Sequence, residues 1–138
     1  MAGIVFLKSV DFTATLDFYT SVMDMSVWLE QPDITILRHE NMLVGFQNLG
    51  ESHETPDAEP ARRTDRRQAH EEVDVSRALL TFFYPSRDET DAMYRRLSRH
   101  SLSEPQENIR YRIYNFYARD PEGRLIECQT FLHALPTW

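Results

Sequence analysis

Several things are scarce in this chain, and each shortage removes a class of explanation. Cys128 is the single cysteine among 138 residues, so no internal disulfide can form, and a reduced, cytoplasmic setting is expected. No apolar run is long enough for a signal peptide or a membrane helix, so no membrane partner is expected. Positive charge is also short: 15 Lys and Arg face 22 Asp and Glu, for a formal net charge of -7. That field repels a phosphate backbone, and nucleic acid is not expected as a partner. It would help a cationic or zwitterionic small molecule, although the same balance also serves plain solubility.

What is present suffices for one ordinary domain. With 41% hydrophobic residues, a chain of this length can bury about two thirds of the surface its unfolded form exposes. Gly3 to Lys8 is a short β-prone run, followed by Asp11 as a candidate N-cap and an apolar stripe at Phe12, Leu16, Tyr19 and Met23. Met25 to Glu30, Ile34 to Arg38 and Met42 to Gln47, separated by turns at 31–33 and 39–41, predict an antiparallel meander. The first module, residues 1–49, is therefore βαβββ.

The order then repeats in a second module, residues 78–138. Ala78 to Tyr84 predicts a strand, and Ser86 with Glu89 has capping-box spacing for a helix carrying Thr90, Met93, Tyr94 and Leu97. A weak strand after Leu102 leads to two alternating, aromatic-rich strands over 111–131, joined by the turn Asp120, Pro121, Glu122, Gly123. Laying Ala14 on Ala92 and the 39–41 turn on the 120–123 turn matches Ile4 with Phe82 and Gly45 with Glu127, so the chain reads as a diverged tandem duplication. Between the modules, 50–77 lacks aromatic residues and mixes acids with Arg62, Arg63, Arg66 and Arg67; it reads as a solvated linker. An anion site at those arginines competes with their neutralisation by Asp65, Glu71 and Glu72.

The helix start Asp11, Ala14, Phe18, Tyr19, the repeated βαβββ and the DPEGRLIE run at 120–127 resemble the vicinal-oxygen-chelate superfamily of glyoxalases, extradiol dioxygenases and bleomycin-resistance proteins. The resemblance covers both modules and excludes the linker. It implies an α+β fold in which two tandem βαβββ modules form an incomplete, curved eight-stranded barrel with a concave pocket, commonly in a homodimer. It further implies that metal-using members place one ligand on the first and fourth strands of each module. Here those places fall on Ile4, Gly45, Phe82 and Glu127.

Only Glu127 can bind a cation, whereas a divalent site needs roughly three or four protein donors. A shift of one residue offers Gly3, Val5, Val44, Phe46, Thr81 and Phe83, none a good ligand. The histidines do not help: His53 and His70 fall in the linker, His39 at a turn, His100 at a helix end, and His133 about 20 Å along an extended strand from Glu127. A lost metal centre and no cofactor are expected.

Pairing around the Asp120 to Gly123 turn is expected to set Phe116 across from Glu127, Tyr114 across from Gln129 and Arg112 across from Phe131. With Phe82 and Tyr84 from the fifth strand and Ile4 and Phe6 from the first, these residues would line an apolar cleft with a few orienting polar groups. Against that stands a bland alternative, in which Glu127 is a satisfied core carboxylate and the aromatics are packing. Cys128 is expected on the opposite face, toward the helices, and Asp11 as a helix cap. Trp28 suits either a flat or cationic ligand or a dimer seam.

The leading expectation is a metal-free small-molecule binding protein of the glyoxalase/bleomycin-resistance type, holding an aromatic or cationic ligand. The alternative is a metal-dependent lyase, isomerase or dioxygenase of the glyoxalase/dioxygenase type, or a metal-free enzyme in which Glu127 is the general base. An interaction module with no ligand is the third possibility.

Overall fold

The computed structural model of the chain describes residues 2–50 and 78–137. The chain divides into two compact units, Met1–Asp74 and Val75–Trp138. The linker reading, the arginine cluster and His53 and His70 lie outside the described residues.

The first unit contains β1 (Val5–Ser9), α1 (Phe12–Asp17) running into a π-helical turn (Phe18–Val22), β2 (Ser26–Gln31), β3 (Ile34–His39) and β4 (Met42–Asn48). Its open sheet has the order β1-β4-β3-β2, with β1 and β4 parallel and the rest antiparallel. The apolar stripe of the helix is why it docks: Tyr19 and Met23 are fully buried, and the Tyr19 ring packs on Phe46 at 4.8 Å. The helix ends where Asp24 turns left-handed at φ 62, a conformation that Asp tolerates better than most residues. Asp11 occupies the N-cap position as expected, and its carbonyl accepts from Thr15 N at 2.9 Å; the correction is that its side chain makes no capping hydrogen bond.

The second unit repeats the plan with β5 (Leu79–Phe83), α2 (Arg87–Arg96), β6 (Gln106–Asn108), β7 (Ile113–Arg119) and β8 (Leu125–Phe131). The sheet order is β5-β8-β7-β6, again with the first and last strands of the module parallel. Ser86 caps α2 as the sequence indicates: its hydroxyl accepts from Glu89 N and donates to Glu89 Oε2, both at 3.3 Å. Helix α2 sits on one face of the sheet, held by Thr90 Oγ1 against Thr130 Oγ1 at 2.6 Å and by Tyr94 edge-on to Phe116. The fold is α+β, built from two similar open-sheet modules, in agreement with the sequence expectation.

Candidate functional site

The 120–124 turn decides which side chains meet Glu127. Asp120 N donates to Arg124 O and Gly123 N to Asp120 O, both at 3.0 Å, so Asp120 and Arg124 close the hairpin as a pair. Gly123 takes φ +87, which a glycine adopts without penalty, and it adds one residue to the loop relative to the expected turn. The strands then pair as Arg119↔Leu125, Tyr117↔Glu127, Asn115↔Gln129 and Ile113↔Phe131. This is one residue away from the register read from the sequence, and a slip of one turns every side chain to the other face.

The correction moves most of the expected aromatic lining. Phe116 pairs with Cys128 and Tyr114 with Thr130, and both lie on the face that α2 covers. Phe116 is fully buried beside Tyr94, and the Tyr114 hydroxyl donates to Asp91 of α2 at 2.6 Å. That hydrogen bond, followed by burial, raises the Tyr114 phenol above its ordinary value. Phe82 pairs with Cys128 on β5, and the Tyr84 hydroxyl lies 4.0 Å from Cys128 Sγ, so these two belong to the helix face as well. Cys128 points toward the helix as expected. Burial pushes its thiol up to about 12, with a smaller push from the Glu127 charge and opposition from Tyr84. Arg112 stands at φ 52 before β7 and is exposed, outside the group around Glu127.

The far face of the second sheet gathers a different set. Glu127, Asn115 and Gln129 are 8%, 5% and 6% exposed. Glu127 Oε1 accepts from Asn115 Nδ2 at 2.9 Å, and Oε2 accepts from the Thr81 hydroxyl at 3.0 Å. Tyr117 stands directly across from Glu127. Burial first, and then the Glu127 charge, hold its phenol above the ordinary tyrosine value, while the hydrogen bond with Asn115 works the other way. Phe83, which pairs with Gln129, and Phe131, two residues beyond Gln129 on β8, meet edge to face at 5.5 Å. Of the residues expected in the lining, Glu127 and Gln129 come together here. Thr81, Asn115 and Tyr117 join them, and the sequence reading does not place them there.

Ile4 and Phe6 belong to the first unit. Phe6 pairs with Gly45, and its ring occupies the space a glycine Cβ would take, with ring carbons 2.4 and 2.5 Å from that position. Ile4 precedes β1. The neighbours across the parallel pairs are thus Phe6 with Gly45 and Thr81 with Glu127, in place of Ile4 and Phe82.

A divalent cation does not fit this donor set. Both Glu127 oxygens are engaged by neutral donors, and its neighbours are a hydroxyl, two amides, a phenol and apolar side chains. Among the described residues, no group of three or more His, Cys, Asp or Glu is placed to hold a metal ion. No lysine, arginine or histidine among them forms an ion pair with Glu127 either.

A second cluster, not foreseen as a unit, locks the turn. Asp120 Oδ1 accepts from Glu122 N at 2.9 Å and Arg124 N at 2.8 Å, while Oδ2 accepts from Arg124 Nη1 at 2.8 Å. All three side chains are buried. It positions the Glu127 strand.

No curated protein matches the chain. Solved structures do, at identities that show the fold. Lactoylglutathione lyase from Agrobacterium tumefaciens superposes with a TM-score of 0.66 at 20% identity, covering 94% of this chain and 92% of that one. An integron cassette protein from the mobile metagenome of V. cholerae gives 0.65 at 21%, covering 95% and 94%. A glyoxalase/bleomycin resistance protein/dioxygenase from Nocardioides gives 0.65 at 18%, covering 100% and 88%. The family model that matches the sequence spans residues 5–128, nearly its whole length. The chain belongs to the Glyoxalase/Bleomycin resistance protein/Dioxygenase superfamily.

Proposed function

We propose that the chain is a metal-free small-molecule binding protein of the glyoxalase/bleomycin-resistance type, holding an aromatic or cationic ligand on the far face of the second sheet. The observation that carries this reading is the surroundings of Glu127: a buried carboxylate held by Thr81 and Asn115, with no cationic partner among the described residues. A buried charge without a partner is costly, and a ligand cation would offset that cost. Tyr117 supplies a ring directly across from it, and Phe83 and Phe131 supply rings further along the same face.

Thermal melts of the protein against aromatic and amine compounds in metal-free buffer test the reading. A ligand-dependent rise in Tm that survives a chelator is expected. A rise produced by divalent metal alone would contradict it.

The Tyr117 and Glu127 pair favours a second reading, acid–base catalysis without metal, in which Glu127 takes a proton and the phenol supplies one. Turnover of a carbonyl substrate by the chelated protein, lost in Glu127→Gln, would select it. A homodimer is proposed as well. It is supported by Val27, Trp28 and Leu29, exposed along the edge strand β2, and light scattering measures it. No described helix is long and apolar enough to cross a membrane.

A further inference from the structure

The strongest unused feature is an amide. Gln129 is only 6% exposed, yet its side chain makes no hydrogen bond among the described residues; its backbone carbonyl alone accepts, from Tyr84 N at 2.9 Å. Among those residues no buried side-chain nitrogen or oxygen lacks a partner, so the polar atoms of this amide must still reach solvent. An amide so enclosed that still presents a donor and an acceptor is placed to meet a ligand from one side only.

The neighbours of that amide follow from the ladder. Phe83 pairs with Gln129 on β5, Asn115 pairs with it on β7, and Phe131 follows it on the same face of β8. The Asn115 amide is committed to Glu127. Phe83 is 51% exposed, and its ring meets Phe131 edge to face. An amide without a partner among the described residues, beside two rings that touch each other, selects for a flat molecule that offers one donor and one acceptor side by side.

We propose that Gln129 is a specificity-determining residue and that its ligand is a planar N-heterocycle with a lactam edge. The ligand N–H donates to the Gln129 side-chain oxygen, the ligand C=O accepts from the Gln129 nitrogen, and the ring packs against Phe83 and Phe131. This assignment rests on the reading of the far face as a ligand site, and it names the aromatic class within that reading.

The test uses 2-quinolone and N-methyl-2-quinolone, which share a ring but differ in the lactam donor, titrated into the purified chain and followed by NMR. The parent compound is expected to bind roughly tenfold more tightly than its N-methyl form, because the methylated ring leaves the Gln129 oxygen unpaired. Gln129→Met, matched in length, should erase that difference, and Phe83→Leu should weaken both compounds alike. Equal binding of the two compounds by the unaltered chain, no binding of 2-quinolone, or a preference that persists in Gln129→Met would each overturn the assignment. The two compounds compared on the unaltered chain decide the matter even if a variant does not fold. If neither quinolone binds while other aromatic or amine compounds raise Tm under chelation, the lactam assignment alone fails. If only metal raises Tm, the binding-protein reading fails with it.

Discussion

The Thr81 hydroxyl on β5 donates to Glu127 Oε2 on β8 at 3.0 Å, across a parallel strand pair. In the first unit the corresponding parallel neighbours are Phe6 and Gly45, a ring lying against a bare backbone. One βαβββ plan, present twice, therefore carries a hydrogen-bonded carboxylate in one copy and a packed ring in the other. Only the second copy has polar chemistry at that place.

Losing the Thr81 donor should be felt as stability before it is felt as function. Thr81→Val removes the hydroxyl donor from one oxygen of a buried carboxylate, and a loss of about 1–3 kcal/mol is expected in chemical denaturation. Replacing Thr81 by Ser, which keeps the hydroxyl, should recover most of it.

A Cβ at Gly45 would enter the Phe6 ring. Gly45→Ala should cost about 1 kcal/mol as the ring is displaced, while Gly45→Ala combined with Phe6→Ala should show a coupling above roughly 0.5 kcal/mol. Simple additivity would show that the ring and the glycine are independent.

The turn cluster is the stability hinge of the second unit. Asp120→Ala removes the acceptor of two backbone amides and the nearer carboxylate of the buried Arg124 guanidinium, leaving Glu122 at 3.5 Å. A loss of about 3–5 kcal/mol is predicted from denaturation midpoints. A loss under about 1 kcal/mol would show that Arg124 finds other compensation.

Cys128 sets an alkaline limit. Its thiol is pushed from 9.0 to about 12 in the folded chain, so below pH 9 both states keep the proton and the full contribution is present. Between pH 9 and about 12 the unfolded chain loses that proton while the folded chain keeps it, and stability falls by about 1.4 kcal/mol per pH unit. The raised phenols of Tyr117 and Tyr114 act in the same direction at higher pH. Cys128→Ala should remove one proton's worth of that slope, as read from unfolding at stepped pH.

The fold was legible because its signals are local. The Ser86 and Glu89 capping box, the apolar helix stripes and the repeated strand order all carry through to the structure. The face of Glu127 was not, because it depends on whether Asp120 pairs with Gly123 or with Arg124, and one residue inverts the answer. A usable signal lay in the chemistry of the strands. Asn115, Glu127 and Gln129 all have odd numbers, and setting the polar residues together gives the observed register. Phe82, Tyr84, Tyr114 and Phe116 then fall to the helix side. The Asp120, Glu122 and Arg124 lock was hidden because charged residues in a turn ordinarily face water, and only tertiary packing makes these buried.

The proposal that Glu127 belongs to no metal site is tested most directly by elemental analysis of the native protein, made in medium supplemented with zinc, manganese, nickel and iron. The account predicts far less than one metal ion per chain, with the same result for Glu127→Gln. A stoichiometric transition metal in the native chain, lost in Glu127→Gln, would contradict it.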